Sequence, residues 1–198
     1  ASRFILMNVE DLDYDTVDET ELEYTSADKW IISRLNKVTS SINRALSNYN
    51  FGEMSKLLYD FIWNEFCDWY IELIKPRLYQ DEDPVARKTA QYNGIHVLET
   101  VLRLLHPVMP FITEEIWQQL PGTENSIMKA DWPQVDNKKI DEEAESKMAL
   151  SMDVIRAIRN IRNEMKVDPG RRIEAILNSS KNKVKILREG KAYIEDLA

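Results

Sequence analysis

From Thr25 onward the chain alternates long apolar-periodic stretches with short polar breaks. Thr25, with Asp28 three residues later, has the form of a capping box, and Trp30, Ile31, Leu35, Val38, Ile42, Leu46 and Tyr49 then recur at spacings of three and four. That spacing predicts one long amphipathic helix. Asn50 and Glu53 repeat the capping logic ahead of Met54, Leu57, Leu58, Phe61, Ile62, Phe66, Trp69 and Leu73, an apolar face wide enough to need helix partners on more than one side. Pro76 is expected to end or kink this second helix. A third starts with Asp83 as cap and Pro84 in its first turn, and runs through Val97, Val101, Leu104 and Leu105 until Pro107 and Pro110 stop it. A short fourth carries Ile112 to Leu120 and closes at Pro121 and Gly122. Residues 123 to 140 read as a surface connection with Trp132 and Pro133 pinned to the bundle. A fifth helix spans Asp141 to Lys166, with Met148, Met152, Ile155, Ile158, Ile161 and Met165 as its buried stripe.

Both ends depart from this rhythm. The opening residues, Ala1 to Asn8, begin apolar without a cap and read as a helix cut through its middle. Residues 10 to 25 follow as an acidic loop. Past Lys166, Asp168, Pro169 and Gly170 form a turn, Arg172 to Leu177 reads as a strand, and 181 to 197 reads as another helix. A single strand cannot stand alone. The expected architecture is therefore mainly α: a helical bundle over 1–167, then the start of a small α/β subdomain over 168–198, truncated before its sheet is complete.

Composition narrows the class without naming a function. At 198 residues the chain can bury roughly 70% of its unfolded surface, so no disulfide or metal staple is needed. The single cysteine, Cys67, excludes an internal disulfide. There is neither a basic-then-apolar leader nor a long uncharged apolar run, which predicts a cytoplasmic chain without a membrane segment. A monomer is expected. The net charge of -8 would argue against a nucleic-acid partner, but residues 1 to 28 hold nine acids against Arg3 alone and carry that whole excess. The remainder balances, so the acidic loop, read as a solvated segment, does not forbid RNA binding elsewhere.

Catalytic chemistry is missing from the inventory. Five glycines supply no phosphate-cradling loop. His96 and His106 stand ten apart, and His106 precedes a proline at a helix end, where capping or packing suits it better than metal binding. Cys67 sits on a strongly apolar helix as a small buried residue rather than a nucleophile. The acid pairs Glu114-Glu115 and Asp141-Glu142-Glu143 lie near helix starts, where they complement the dipole. No catalytic residue, metal or cofactor is expected within the chain.

Three segments resemble the anticodon-binding domain of class I aminoacyl-tRNA synthetases. They are Asp28 to Asn36 (DKWIISRLN), Tyr59 to Glu72 (YDFIWNEFCDWYIE) and Leu104 to Trp117 (LLHPVMPFITEEIW). The last block is shared by the valyl, leucyl and isoleucyl branches; the middle one, supported by Arg3 to Asn8, is similar to the valyl-tRNA synthetase branch. The resemblance fades in the acidic loop and after about residue 180. It implies a parent enzyme that activates valine with ATP and Mg²⁺ and transfers it to tRNA(Val). The catalytic and editing domains of that parent would be this chain's partners, and the chain itself would be inactive but read the anticodon. The alternatives are an isoleucyl or leucyl member, or a helical protein-interaction module without an RNA role.

Anticodon bases are read unstacked, which asks for exposed platforms, hydrogen-bond partners for base edges and nearby cations. Trp63, Phe61, Phe66, Trp117 and Phe111 fall on apolar faces and are assigned to the core. The resemblance places Phe4 where related domains stack a base, with Arg3 and Asn8 beside it. Asp68, Ile71, Glu72 and Lys75 share one side of the second helix. Ile71 could sandwich a base or pack the core; Asp68 and Glu72 could accept from base amino groups or form a solvated face. Arg156, Arg159, Arg162 and Lys166, extended by Arg171 and Arg172, form a basic stripe on the fifth helix. It could track phosphates, face solvent, or meet another domain of the parent.

Overall fold

The capping box at Thr25 forms in the computed structural model, with Asp28 N–H donating to Thr25 Oγ1 at 3.4 Å and Thr25 N–H donating to Asp28 Oδ2 at 2.9 Å. The structure describes residues 1–80, 82–123, 125–168 and 170–198. They fall into two compact units, Ala1–Asp141 and Glu142–Ala198. The boundary between units thus lies at 141/142, where the sequence reading put one at 167/168, and the fifth predicted helix groups with the C-terminal helices.

In the first unit α1 (Ser2–Met7) leads into the acidic loop, and α2 (Ser26–Ser47) is the central rod. Its predicted face is buried from Trp30 to Ile42, whereas Tyr49 is exposed. Tyr49 lies past the helix end at φ 53, a left-handed turn that reverses the chain toward Asn50, the cap of α3 (Phe51–Asp60). A π-helical segment, Phe61–Tyr70, continues α3 and passes into α4 (Ile71–Tyr79). Buried positions in this rod run Leu58, Phe61, Phe66 and Tyr70, and the five-residue step from 61 to 66 suits bonds such as Ile71 N–H to Phe66 C=O. The helix also runs through Pro76 to Tyr79.

The turn beyond Pro76 is held from inside. Asp28 is fully buried, and Arg77 reaches it through Nη1 to Oδ2 and Nη2 to Oδ1, both at 2.8 Å. Tyr70 Oη donates to Asp28 Oδ1 at 2.8 Å, so the carboxylate that caps α2 also anchors the rod. The charge is paired bidentately and its remaining lone pairs are filled.

Asp83 caps α5 (Pro84–Leu105), accepting from Ala86 N–H at 3.0 Å. Next comes α6 (Pro110–Trp117), which begins and ends earlier than the predicted 112–120 because Pro110 fits the first turn of a helix. The Thr113 hydroxyl pairs with His106 Nδ1 at 2.7 Å and joins the two helices. The connection after α6 lies along α2: Trp132 Nε1 donates to Asn43 Oδ1 at 2.7 Å, and Asp141 N–H to Ser33 Oγ at 2.9 Å. The acidic loop is fastened too, contrary to its reading as a solvated segment. Tyr14 stacks on Tyr92 of α5 at 5.0 Å, Tyr92 Oη donates to Glu19 at 2.7 Å, and Asp11 pairs with Arg87 at 3.0 Å.

The second unit packs α7 (Glu142–Glu164) against α8 (Lys181–Glu189) and α9 (Lys191–Leu197). The buried stripe of α7 stops at Ile158, and Ile161 and Met165 are exposed, which corrects the longer stripe. The predicted helix over 181 to 197 is two helices. A Cβ on Gly190 would stand 2.6 Å from Ser151 Oγ, so the break allows a close approach to α7. The predicted strand from Arg172 to Leu177 has no ladder partner among the described residues and is irregular. Of the expected turn, Asp168 and Gly170 are linked by a 2.9 Å hydrogen bond from Gly170 N–H to Asp168 Oδ1, while Pro169 lies outside the described residues.

Candidate nucleic-acid interface

The geometry at α1 follows from what lies beneath it. Ile5 is 1% exposed and presses on Gly94 of α5, where an added Cβ would come within 3.0 Å of Ile5 Cδ1. With Ile5 seated, the neighbouring Phe4 is left half-exposed at the edge of α4. Tyr79 meets the Phe4 ring edge-on, 6.4 Å between centroids at 90°, and Lys75 Nζ lies 5.6 Å from the ring centroid. Glu72 Oε1 pairs with the same ammonium. Phe4 and the distant pair Glu72 and Lys75 therefore form one cluster: a partly open π face, a carboxylate acceptor and a cation.

The other predicted residues divide. Asn8 closes α1, its Nδ2 donating to Phe4 C=O at 2.8 Å while its own C=O accepts from Gln91 Nε2 at 2.7 Å. Asp68 is exposed one turn before Glu72. Ile71 is 5% exposed and packs in the core. Arg3 lines a different cleft of about 490 Å³ with Leu6, Met7, Leu12, Leu120 and Pro121.

Two core assignments are corrected. Phe61, Phe66 and Trp117 are buried, but Trp63 is 54% exposed and Phe111 90%. An apolar residue type does not say which of a helix's faces it occupies. Tyr79 was missed because ending the helix at Pro76 removes it from the face of Glu72 and Lys75, to which it belongs at spacings of seven and four.

The basic stripe lies in the second unit. Arg156 and Arg159 are exposed; Arg156 pairs with Asp153 at 3.1 Å, and Arg159 donates to the Leu197 carbonyl. Arg162 donates to the Asp168 carbonyl at 3.1 Å, and Lys166 turns off the helix end at φ 52. Arg162, Arg171, Arg172, Arg188 and Lys191 line one cleft, so the cations gather more widely than one helix face suggested.

Titratable groups elsewhere are tuned by burial. It pushes the His96 imidazole down to about 4, helped by Lys139 and Arg103, and the Tyr14 phenol up to about 12, helped by Glu99. Burial also raises the Cys67 thiol, away from nucleophilic character. Among the described residues no group of three or more His, Cys, Asp or Glu could hold a metal ion, and no helix is long and apolar enough to cross a membrane.

A family profile described as the anticodon-binding domain of tRNA ligase matches residues 28–177. The chain belongs to this anticodon-binding family. Similarity to curated relatives runs the length of the chain. It is 47% identical over 201 residues to a valine–tRNA ligase of Syntrophotalea carbinolica and 48% identical over 201 residues to one of Geobacter sulfurreducens. Both alignments cover 100% of this chain and 22% of the relative. A valine–tRNA ligase of Bacillus cereus is 44% identical over 196 residues, 98% of this chain and 22% of its own length. The chain thus spans about a fifth of those relatives. The helical architecture is the one this family was expected to bring.

Proposed function

We propose that this chain is the anticodon-reading part of a valine–tRNA ligase, binding the anticodon region of tRNA(Val). The parent activates valine with ATP and Mg²⁺ in regions outside this chain and charges the tRNA in the cytoplasm. This part is monomeric and does not aminoacylate. The observation that carries the reading is whole-chain identity of 44–48% to valine–tRNA ligases.

The geometry supports Phe4 as the place of contact. A base laid on the Phe4 face turned away from Lys75 would meet a π surface, with the Lys75 cation and the Glu72 carboxylate at the ring's other side. Asp68 extends the set of acceptors, Arg3 and Asn8 stand on the same short helix, and Ile71 supports the site from beneath. Arg156, Arg159, Arg162 and Lys166 are phosphate contacts in this reading.

Binding of valine tRNA transcripts by the chain tests it. Phe4→Ala weakens binding about tenfold, within the ~1 to 3 kcal/mol of a stacked base, and Phe4→Tyr keeps most of it. Arg159→Ala lowers the salt dependence for every tRNA alike. Equal binding of transcripts with swapped anticodons overturns the reading.

A further inference from the structure

The rod from Phe51 to Tyr79 exposes a second aromatic pair. Tyr59 is 61% exposed and Trp63 54%, with ring centroids 6.3 Å apart at 47°. Solvent-facing positions continue from them at Asn64 and Asp68, through half-exposed Glu72 and Lys75, to exposed Tyr79. Along the line Tyr59, Trp63, Asp68, Glu72, Lys75 and Tyr79, with Asn64 beside it, the steps are three to five residues. An α-helix would let a five-residue step drift off its face, but the wider π turn over Phe61–Tyr70 keeps Trp63 and Asp68 on one line. One continuous face therefore carries an aromatic station at each end. Trp63 and Tyr79 are sixteen residues apart, a span of at most about 24 Å at ~1.5 Å per residue.

We propose that Tyr59 and Trp63 form a second base-stacking station for the RNA strand whose other station is Phe4. This rests on the reading of the chain as an anticodon binder. Between the stations stand Asp68 and Glu72, which repel phosphates and accept hydrogen bonds from exocyclic amino groups, so the strip suits the bases of an unstacked strand with its backbone turned outward. Aromatic faces receive any base, so the second station positions the loop without reading its sequence. A strand at ~3.4 Å per stacked nucleotide covers the span in about seven nucleotides, and an unstacked one in fewer.

The test uses the chain with a synthetic anticodon stem-loop of valine tRNA whose loop nucleotides are replaced one at a time by abasic residues. Trp63→Ala is expected to weaken binding about tenfold and Trp63→Phe to keep most of it. At one loop position, different from the one coupled to Phe4→Ala, the abasic substitution costs about tenfold with the unaltered chain and nothing further with Trp63→Ala. Tyr59→Ala serves the same comparison if Trp63→Ala lowers the melting temperature. If Phe4→Ala weakens binding while folded Trp63→Ala binds normally, the second station falls and the anticodon reading stands. Losses that add at every loop position also overturn it, because Trp63 then acts other than by stacking. Failure of the unaltered chain to bind any stem-loop removes both.

Discussion

Replacing Arg77 by Met should be among the most damaging single changes to the first unit. Its side chain is 11% exposed, and it supplies both guanidinium contacts to an Asp28 carboxylate that has no solvent exposure. Methionine preserves much of the apolar stem but leaves the charge buried, with Tyr70 and the Thr25 cap as its donors. Breaking one side of a buried pair costs about 3–5 kcal/mol, against at most ~1 kcal/mol for an exposed one, so the two descriptions differ by a measurable margin. At ~2–4 °C per kcal/mol for a chain of this size, the melting midpoint should fall by about 6–20 °C. Arg77→Lys should recover only part of it, since an ammonium cannot make the forked contact. Thermal melts followed by circular dichroism, with a cycle through Asp28→Ala, measure the coupling. A drop of one or two degrees for Arg77→Met would refute the buried-pair argument.

Two further outcomes follow from buried polar groups. His96 is held near 4 against an ordinary value near 6.5, so the unfolded chain takes up its proton first as pH falls; stability declines between about pH 6.5 and 4, by up to ~3 kcal/mol. Urea midpoints at pH 7 and pH 4.5 should differ less for His96→Gln than for the unaltered chain, and an identical difference would count against the assignment. Asn93 is 1% exposed, and its amide nitrogen and oxygen have no hydrogen-bond partner among the described residues. Asn93→Leu should therefore raise the melting midpoint, corresponding to about 1–2 kcal/mol; a lower midpoint would show that the amide is satisfied.

Local signals were the most legible part of the chain. The caps at Thr25, Asn50 and Asp83 depend on residues three apart and form as read. What escaped the sequence depends on partners distant along it. The π register of Phe61–Tyr70 is chosen by which side chains find a core, and a 3.6-residue template cannot display it. Trp63 and Ile161 satisfy an apolar pattern yet remain outside because no element among the described residues covers them. The alternation from Arg172 to Leu177 reads as a strand, but a ladder needs a second strand. For the site, Phe4 and the side bearing Glu72 and Lys75 were named from a resemblance and from spacing, whereas their meeting depends on Ile5 and Gly94 seating α1. Tyr79 was hidden by Pro76, whose breaking tendency is outweighed by the Arg77 anchor one residue later.

The π segment also makes residue number, and not only residue identity, a constraint on the rod. Deleting one residue between Phe61 and Tyr70 would leave every cap intact and most side chains unchanged. With the π winding kept, it would nonetheless rotate everything downstream by somewhat less than the ~100° that one residue subtends in an α-helix. Lys75 and Tyr79 would swing away from Phe4, and Arg77 from Asp28. Point substitutions along the outer strip should thus be tolerated by the fold far better than a one-residue insertion, while a deletion would keep the downstream register only by tightening a π turn to an α turn within the same segment.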